Sequence, residues 1–138
     1  MKLEPIHLSV MSHPKNLKHI RNLMADITLK TCLSKKDSGS IILAVDEACS
    51  NIIRHSYEND YNRKIDLTVK LNTNSLTISI VDDGIKFDIN SIKPRDTSLL
   101  KPGGLGIYII KQIMDTVEYS RTTEGFNKIK MIKKLLSR

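Results

Sequence analysis

A chain of 138 residues, with 40% hydrophobic and 27% charged side chains, has the size and balance of one folded domain. Its apolar runs, such as "IILAV", fall far short of a membrane span, and "MKLEPIHLSV" brings charge and proline too early for a secretory signal; both point to the cytoplasm. The net charge of +7 leaves an anionic partner open, but much of it sits in "KIKMIKKLLSR", which alternates like a half-buried strand with a lysine-coated outer face.

"LEPIHLSVMS" reads as an opening strand, with Pro5 near an edge. Ser12 is a candidate N-cap ahead of Pro14, for a helix expected to run to about residue 33 on the stripe Leu17, Ile20, Leu23, Met24, Ile27. "SKKDSGS" is expected as a loop, followed by a second helix over about 38–57 that "ENDYNRK" breaks. Cys32 and Cys49 fall in these helical segments without partners at metal spacing, and read as small buried hydrophobes in a reducing compartment. "KIDLTVKL" and "SLTISIVD" form a hairpin across "NTNS". Residues 87–102 show little periodicity; then "GGLGIYIIKQIMD" starts with glycines and becomes an apolar helix. "TVEYSRTT" and "FNKIKMIKKL" close the chain as two strands around Glu124 and Gly125. The order β-α-α-β-β-loop-α-β-β predicts an α+β, two-layer sandwich: a mixed, mostly antiparallel sheet with three helices on one face, in a single domain over 1–138.

Three pieces carry chemistry. In "ILAVDEACSNIIRHSYE", Glu47, Asn51, Arg54 and Glu58 share a stripe roughly 60° wide. That is either the wet face of an amphipathic helix or a functional one, and asparagine is a poor helix-interior residue unless its amide has something to hold. In "KPGGLGIYII", glycines precede a helix whose first N–H groups favour an anion, although a hinge has the same composition. In "VDDGIKFD", Asp82 ends a strand before Gly84, where a fixed carboxylate can accept from an exocyclic amine or merely cap a polar turn.

Taken in order, these pieces resemble the Bergerat-fold (GHKL) ATPases, the superfamily of gyrase and the histidine kinases. Within it the chain is most similar to the anti-sigma-factor serine kinases that work by partner switching. "LAVDEACSNIIRHSY" resembles their E-A-x-x-N-x-x-x-H-x-Y helix, "DDGIKFD" their D-D-G-x-x-F-D turn, and "GGLGIYIIKQIMDTVEYSR" their G-G-L-G helix with the strand after it. The resemblance covers nearly the whole chain and implies a Bergerat ATP-binding fold.

It also implies roles. Asn51 becomes the magnesium ligand, and Glu47 the general base that takes a serine proton. Asp82 accepts from the adenine amine and Gly84 gives the base room, while Lys101, Gly103, Gly104, Leu105 and Gly106 belong to the phosphate-binding stretch. Residues 87–102 become a lid in which Lys93, Arg95 or Lys101 meets the γ-phosphate. The implied function is a Mg-ATP-dependent protein serine/threonine kinase that phosphorylates a small antagonist protein and sequesters a sigma factor. The alternative is a non-catalytic ATP/ADP-binding module acting by partner capture. Family members are typically homodimers, with the first strand and helix as the place to look for that contact. Neither direct nucleic-acid binding nor membrane binding is expected, although Lys128, Lys130, Lys133 and Lys134 would suit the former. One departure stands out: Lys86 occupies a position where much of the superfamily has a second glycine. His55 falls beside the Glu47 stripe and reads as structural, while His7, His13 and His19 lack the spacing of a zinc site.

Overall fold

The computed structural model describes residues 4–86 and 104–135. Among these residues five strands form one sheet: β1 (Ile6–Met11), β2 (Lys64–Leu71), β3 (Ser75–Asp82), β4 (Thr116–Arg121) and β5 (Asn127–Lys134), in the spatial order β1-β2-β3-β5-β4. All the strand pairings are antiparallel. The helices α1 (Leu17–Thr28), α2 (Lys35–Asn51) and α3 (Gly104–Ile113) make the second layer.

The period of two in the strands decides which face is covered. Ile65, Leu67, Val69 and Leu71 of β2, Leu76, Ile78 and Ile80 of β3, and Ile129 and Met131 of β5 all point into one core. Leu17, Ile20, Met24 and Ile27 of α1 meet them from above, with Ile41, Ala44, Val45, Ala48 and Cys49 of α2. Replacing one of these buried branched residues by alanine costs about 2–5 kcal/mol. Lys128 and Lys130 stand on the other face, where Lys130 lies across from Glu118; Lys133 instead turns its Nζ onto the Ile113 carbonyl, 2.9 Å away, at the end of α3.

Three boundaries differ from expectation, each for a local reason. Helix α1 stops at Thr28, because Thr31 folds back, its N–H and hydroxyl both donating to the Thr28 carbonyl. Cys32 therefore lies on an exposed connection rather than in a helix, while Cys49 is fully buried. The stretch expected as a loop at 34–40 instead opens α2: Ser34 accepts from the Asp37 N–H at 3.0 Å, and Asp37 adds an acid to the first turn. At its other end, α2 runs into a π-helical turn over Ile52–Ser56, closed by the Tyr57 N–H on the Ile52 carbonyl at 2.8 Å. Ser12 is not the cap expected of it. It is buried, donates to the Asp60 carbonyl and accepts from the Arg63 N–H, while His13 caps the short 3-10 turn Pro14–Asn16.

Candidate functional site

The alternation that fills the core ends in polar residues at one edge. In β3 the inward positions run Leu76, Ile78, Ile80 and then Asp82; in β5 they begin with Asn127 before Ile129 and Met131. Register places Asp82 and Asn127 directly opposite each other. Both are buried, at 6% and 0% exposure. A buried carboxylate needs donors, and this one has them. Its Oδ1 accepts from the Ser56 hydroxyl, from the Gly84 N–H at 2.9 Å and from Asn127 Nδ2 at 3.1 Å.

Gly84 is demanded by the packing. A Cβ there would sit 2.7 Å from the Ser56 carbonyl carbon, and the adjoining Ile85 N–H donates to the Ser56 carbonyl oxygen at 2.9 Å. The turn is braced from outside by Tyr57, whose hydroxyl accepts from the Asp83 N–H at 2.9 Å and donates to the Lys64 carbonyl. Burial is the first cause that raises the Tyr57 pKa, so the phenol stays protonated for this work. Arg63 covers its ring at 4.8 Å and pairs with Asp83. Lys86 turns outward to Asp83 Oδ1 and the Gly84 carbonyl, each at 3.2 Å, and over the Phe126 ring. It neutralises Asp83 rather than Asp82.

The other end of the site lies further back along α2. Glu47 and Asn51 are half-buried, one turn apart. Helix α3 reaches them through Gly106: a Cβ there would lie 2.9 Å from Glu47 Oε2 and 3.0 Å from Asn51 Nδ2. A glycine thus lets the start of α3 press its backbone onto this pair. Arg54 donates to Asn51 Oδ1 at 3.1 Å and to the Ser50 hydroxyl. Ser56 stands nine positions on from Glu47, about 13 Å along the helix, so one rod carries both ends of the site.

The π-turn decides which side chain serves the Asp82 end. Within an α-helix the residue stacked on Asn51 would be His55; the wider turn moves that place one residue on, to Ser56. His55 is left exposed, with its pKa lowered first by partial desolvation and then by the Arg54 charge. Cys49 lies on the buried side of the same helix, its thiol pushed up to about 12 by burial and by Asp46, and is chemically inert.

The structure brings Glu47, Asn51 and Gly106 together, and Asp82 together with Gly84. Gly104 opens α3. Leu105 lies within α3, and Lys93, Arg95, Lys101 and Gly103 lie outside the described residues. Ser56 and Asn127 were missed by the motifs. Asn127 was open to discovery, because it shares the strand parity of Ile129 and Met131, whereas the π-turn hid Ser56.

Residues 10–133 match the family of the histidine kinase-like ATPase domain. The serine-protein kinase RsbW of Bacillus thuringiensis (strain Al Hakam) is 30% identical over 125 residues, covering 85% of this chain and 78% of the relative. RsbW of Bacillus cereus (strain AH187) matches to the same extent. Among solved structures, the RsbU and RsbW domains of Rv1364c from Mycobacterium tuberculosis superpose with a TM-score of 0.70 at 14% identity, over 99% of this chain. This chain spans 34% of the length of that one, and the likeness shows the fold alone. With a family match over almost its whole length, the chain belongs to the histidine kinase-like ATPase domain family, on the branch of the RsbW serine-protein kinases.

Proposed function

We propose that this protein is an ATP- and magnesium-dependent protein-serine kinase that phosphorylates a small antagonist protein and sequesters a sigma factor, acting as a cytoplasmic homodimer. The observation that carries this is the close approach of Gly106 to Glu47 and Asn51, on the same helix whose far end holds Asp82. On this reading, Gly106 at the start of α3 serves the phosphates beside Glu47 as base and Asn51 as amide ligand, and the buried Asp82 at the other end of the rod reads the purine.

The donor chemistry suits the two ligands. Asn51 offers a neutral amide oxygen, and no cluster of three or more His, Cys, Asp or Glu able to hold a metal occurs among the described residues. Such a position fits magnesium, which keeps most of its waters and shares phosphate oxygens, better than zinc. Asp82 Oδ2 takes none of the hydrogen bonds that fall on Oδ1, and so suits an exocyclic amine. Bound Mg-ATP supplies the phosphoryl group. Glu47 accepts the proton of the attacking serine hydroxyl, Asn51 orients the phosphate end, and the start of α3 offers N–H donors to it.

One observation favours the alternative of an ATP/ADP-binding module that captures partners without turnover: the Arg54 guanidinium already donates to the Asn51 oxygen. The experiment that separates the two is incubation with labelled ATP and a candidate antagonist, alongside calorimetry with ADP and magnesium. Glu47→Ala is expected to slow transfer by about 10²–10⁴-fold while ADP affinity stays within about twofold; Asn51→Ala is expected to lose both. Equal loss of ADP affinity in the two variants defeats this division of labour, and tight binding without label transfer in the wild type supports the capture module.

A further inference from the structure

Arg54 is exposed, yet among the described residues its guanidinium pairs with no carboxylate. It reaches back along its own helix instead, donating from Nη1 to the Ser50 hydroxyl and from Nη2 to Asn51 Oδ1 at 3.1 Å. The acid placed to compete for it is lost for a backbone reason. Glu58 stands four residues on, where a continued helix would stack it on Arg54. The chain has left the helix by then: Glu58 and Asn59 take positive φ values of 51° and 63°, and the i,i+4 pair is not made. The guanidinium therefore settles on two neutral oxygens one turn back. Ser50 and Asn51 are neighbours about 100° apart around the helix, and a planar fork of donors spans both where a point charge would serve one. One of the two is the oxygen proposed to bind magnesium.

We infer that Arg54, anchored by Ser50, is a positioning residue that sets a magnesium threshold for this site, an inference that rests on the Mg-ATP reading above. A guanidinium and a divalent cation cannot share one amide oxygen cheaply. A single and a double positive charge about 4–5 Å apart oppose each other by more than about tenfold in affinity, even at the dielectric constant of water. Leaving costs less: Arg54 gives up two exposed hydrogen bonds, together worth about three- to tenfold. The side chain therefore departs, and the affinity of Asn51 for the metal is lowered by that smaller factor. Nucleotide without metal leaves the clamp closed on Asn51, so the chain is loaded but idle. Magnesium opens it. One exposed arginine thus sets the metal concentration at which capture gives way to transfer.

The test measures ADP affinity by calorimetry in excess magnesium and again in EDTA, and reads the ratio of the two. Arg54→Met keeps an apolar stem and removes the fork; it is expected to raise that ratio about three- to tenfold over wild type. Ser50→Ala removes one of the two anchors and should raise it about twofold. Arg54→Lys keeps the charge without the fork and should fall between wild type and Arg54→Met. Thermal melts without ligand check that each variant folds. A ratio that is unchanged or smaller in Arg54→Met overturns the inference, as does equal weakening of ADP with and without the metal, which assigns Arg54 a merely structural role. Two other results strike elsewhere. Wild-type protein that binds no ADP under either condition overturns the nucleotide reading itself, and an Asn51→Ala variant with the wild-type ratio overturns Asn51 as the metal ligand and this inference with it.

Discussion

The two ends of the α2 rod are built on opposite plans. At the Asp82 end, buried groups are tied to one another from helix, sheet and turn: Ser56, Gly84 and Asn127 on the carboxylate, and Tyr57 on the Asp83 backbone. At the Glu47 end the side chains are half-buried, and the one bond described to Asn51 Oδ1 comes from an exposed arginine. The Asp82 end, proposed to read the base, is thus organised before any ligand arrives, because its buried polar groups tie to one another where water cannot reach them. The Glu47 end, proposed to hold the phosphates, is left adaptable, as suits a place where charge would enter, react and depart. Stability and chemistry should therefore separate along the rod, and substitutions at the two ends should fail in different ways.

The largest effect is expected at Gly84. A methyl group there meets the Ser56 backbone at 2.7 Å, and backbone cannot step aside as a side-chain tip can. Gly84→Ala must push the turn off the π-turn, breaking the Ile85–Ser56 backbone bond and the Ser56–Asp82 contact together. A loss of about 2–4 kcal/mol in chemical denaturation is expected, in line with strain and a broken buried network, with ADP binding lost as well. A variant as stable as wild type would show that the Asp82 end is looser than its hydrogen bonds indicate.

Much of this organisation is legible in the chain, and the exceptions have physical causes. The hairpin strands 64–71 and 75–82 are correct to the residue, because strict alternation bounded by polar turn residues leaves one solution. The spacing of Glu47 and Asn51 fixes them on one face of a helix whatever the tertiary structure. Ser56 is different. Its role depends on one extra residue in a helical turn, and no local propensity announces that insertion. The start of α2 was obscured by Ser38 and Gly39, weak helix formers that the Ser34 cap and the Asp37 charge outweigh. Cys32 was misplaced for a related reason: the periodic pattern continues past Thr28, but Thr31 supplies a competing hydroxyl.

At the opposite end, Gly106→Ala should leave the fold nearly intact. Its added methyl would lie 2.9 Å from Glu47 Oε2 and 3.0 Å from Asn51 Nδ2, both tips of side chains that can swing aside. The expected cost in stability is below about 1 kcal/mol, since alanine is also the better helix former. The expected cost in phosphoryl transfer is about 10–100-fold, because the displaced groups are those proposed to align the reaction. Comparing Gly84→Ala with Gly106→Ala in both assays sharpens the contrast; similar stability losses would erase it.

The smallest predicted effect lies between the two ends, at His55. Its pKa is lowered, by desolvation first and by the neighbouring Arg54 second. The sign follows from linkage: when pH falls through the ordinary histidine value of about 6.5, the unfolded chain takes up the proton before the folded one. Stability should therefore decline from there down to the lowered folded value and change no further on this account. The ring is exposed, so the decline is slight, and His55→Gln should flatten it. The sharper measurement is an NMR titration of the ring itself. Arg54→Gln removes the second cause and leaves the first, so the His55 pKa should rise part of the way towards its ordinary value. Adding ADP and magnesium to the wild type should move it in the same direction if the cation draws Asn51 away from Arg54 and lets the guanidinium swing towards phosphate. A ring that titrates identically in all three samples would mean that Arg54 does not dwell beside Asn51, and that the Glu47 end is even less organised than its half-buried side chains indicate.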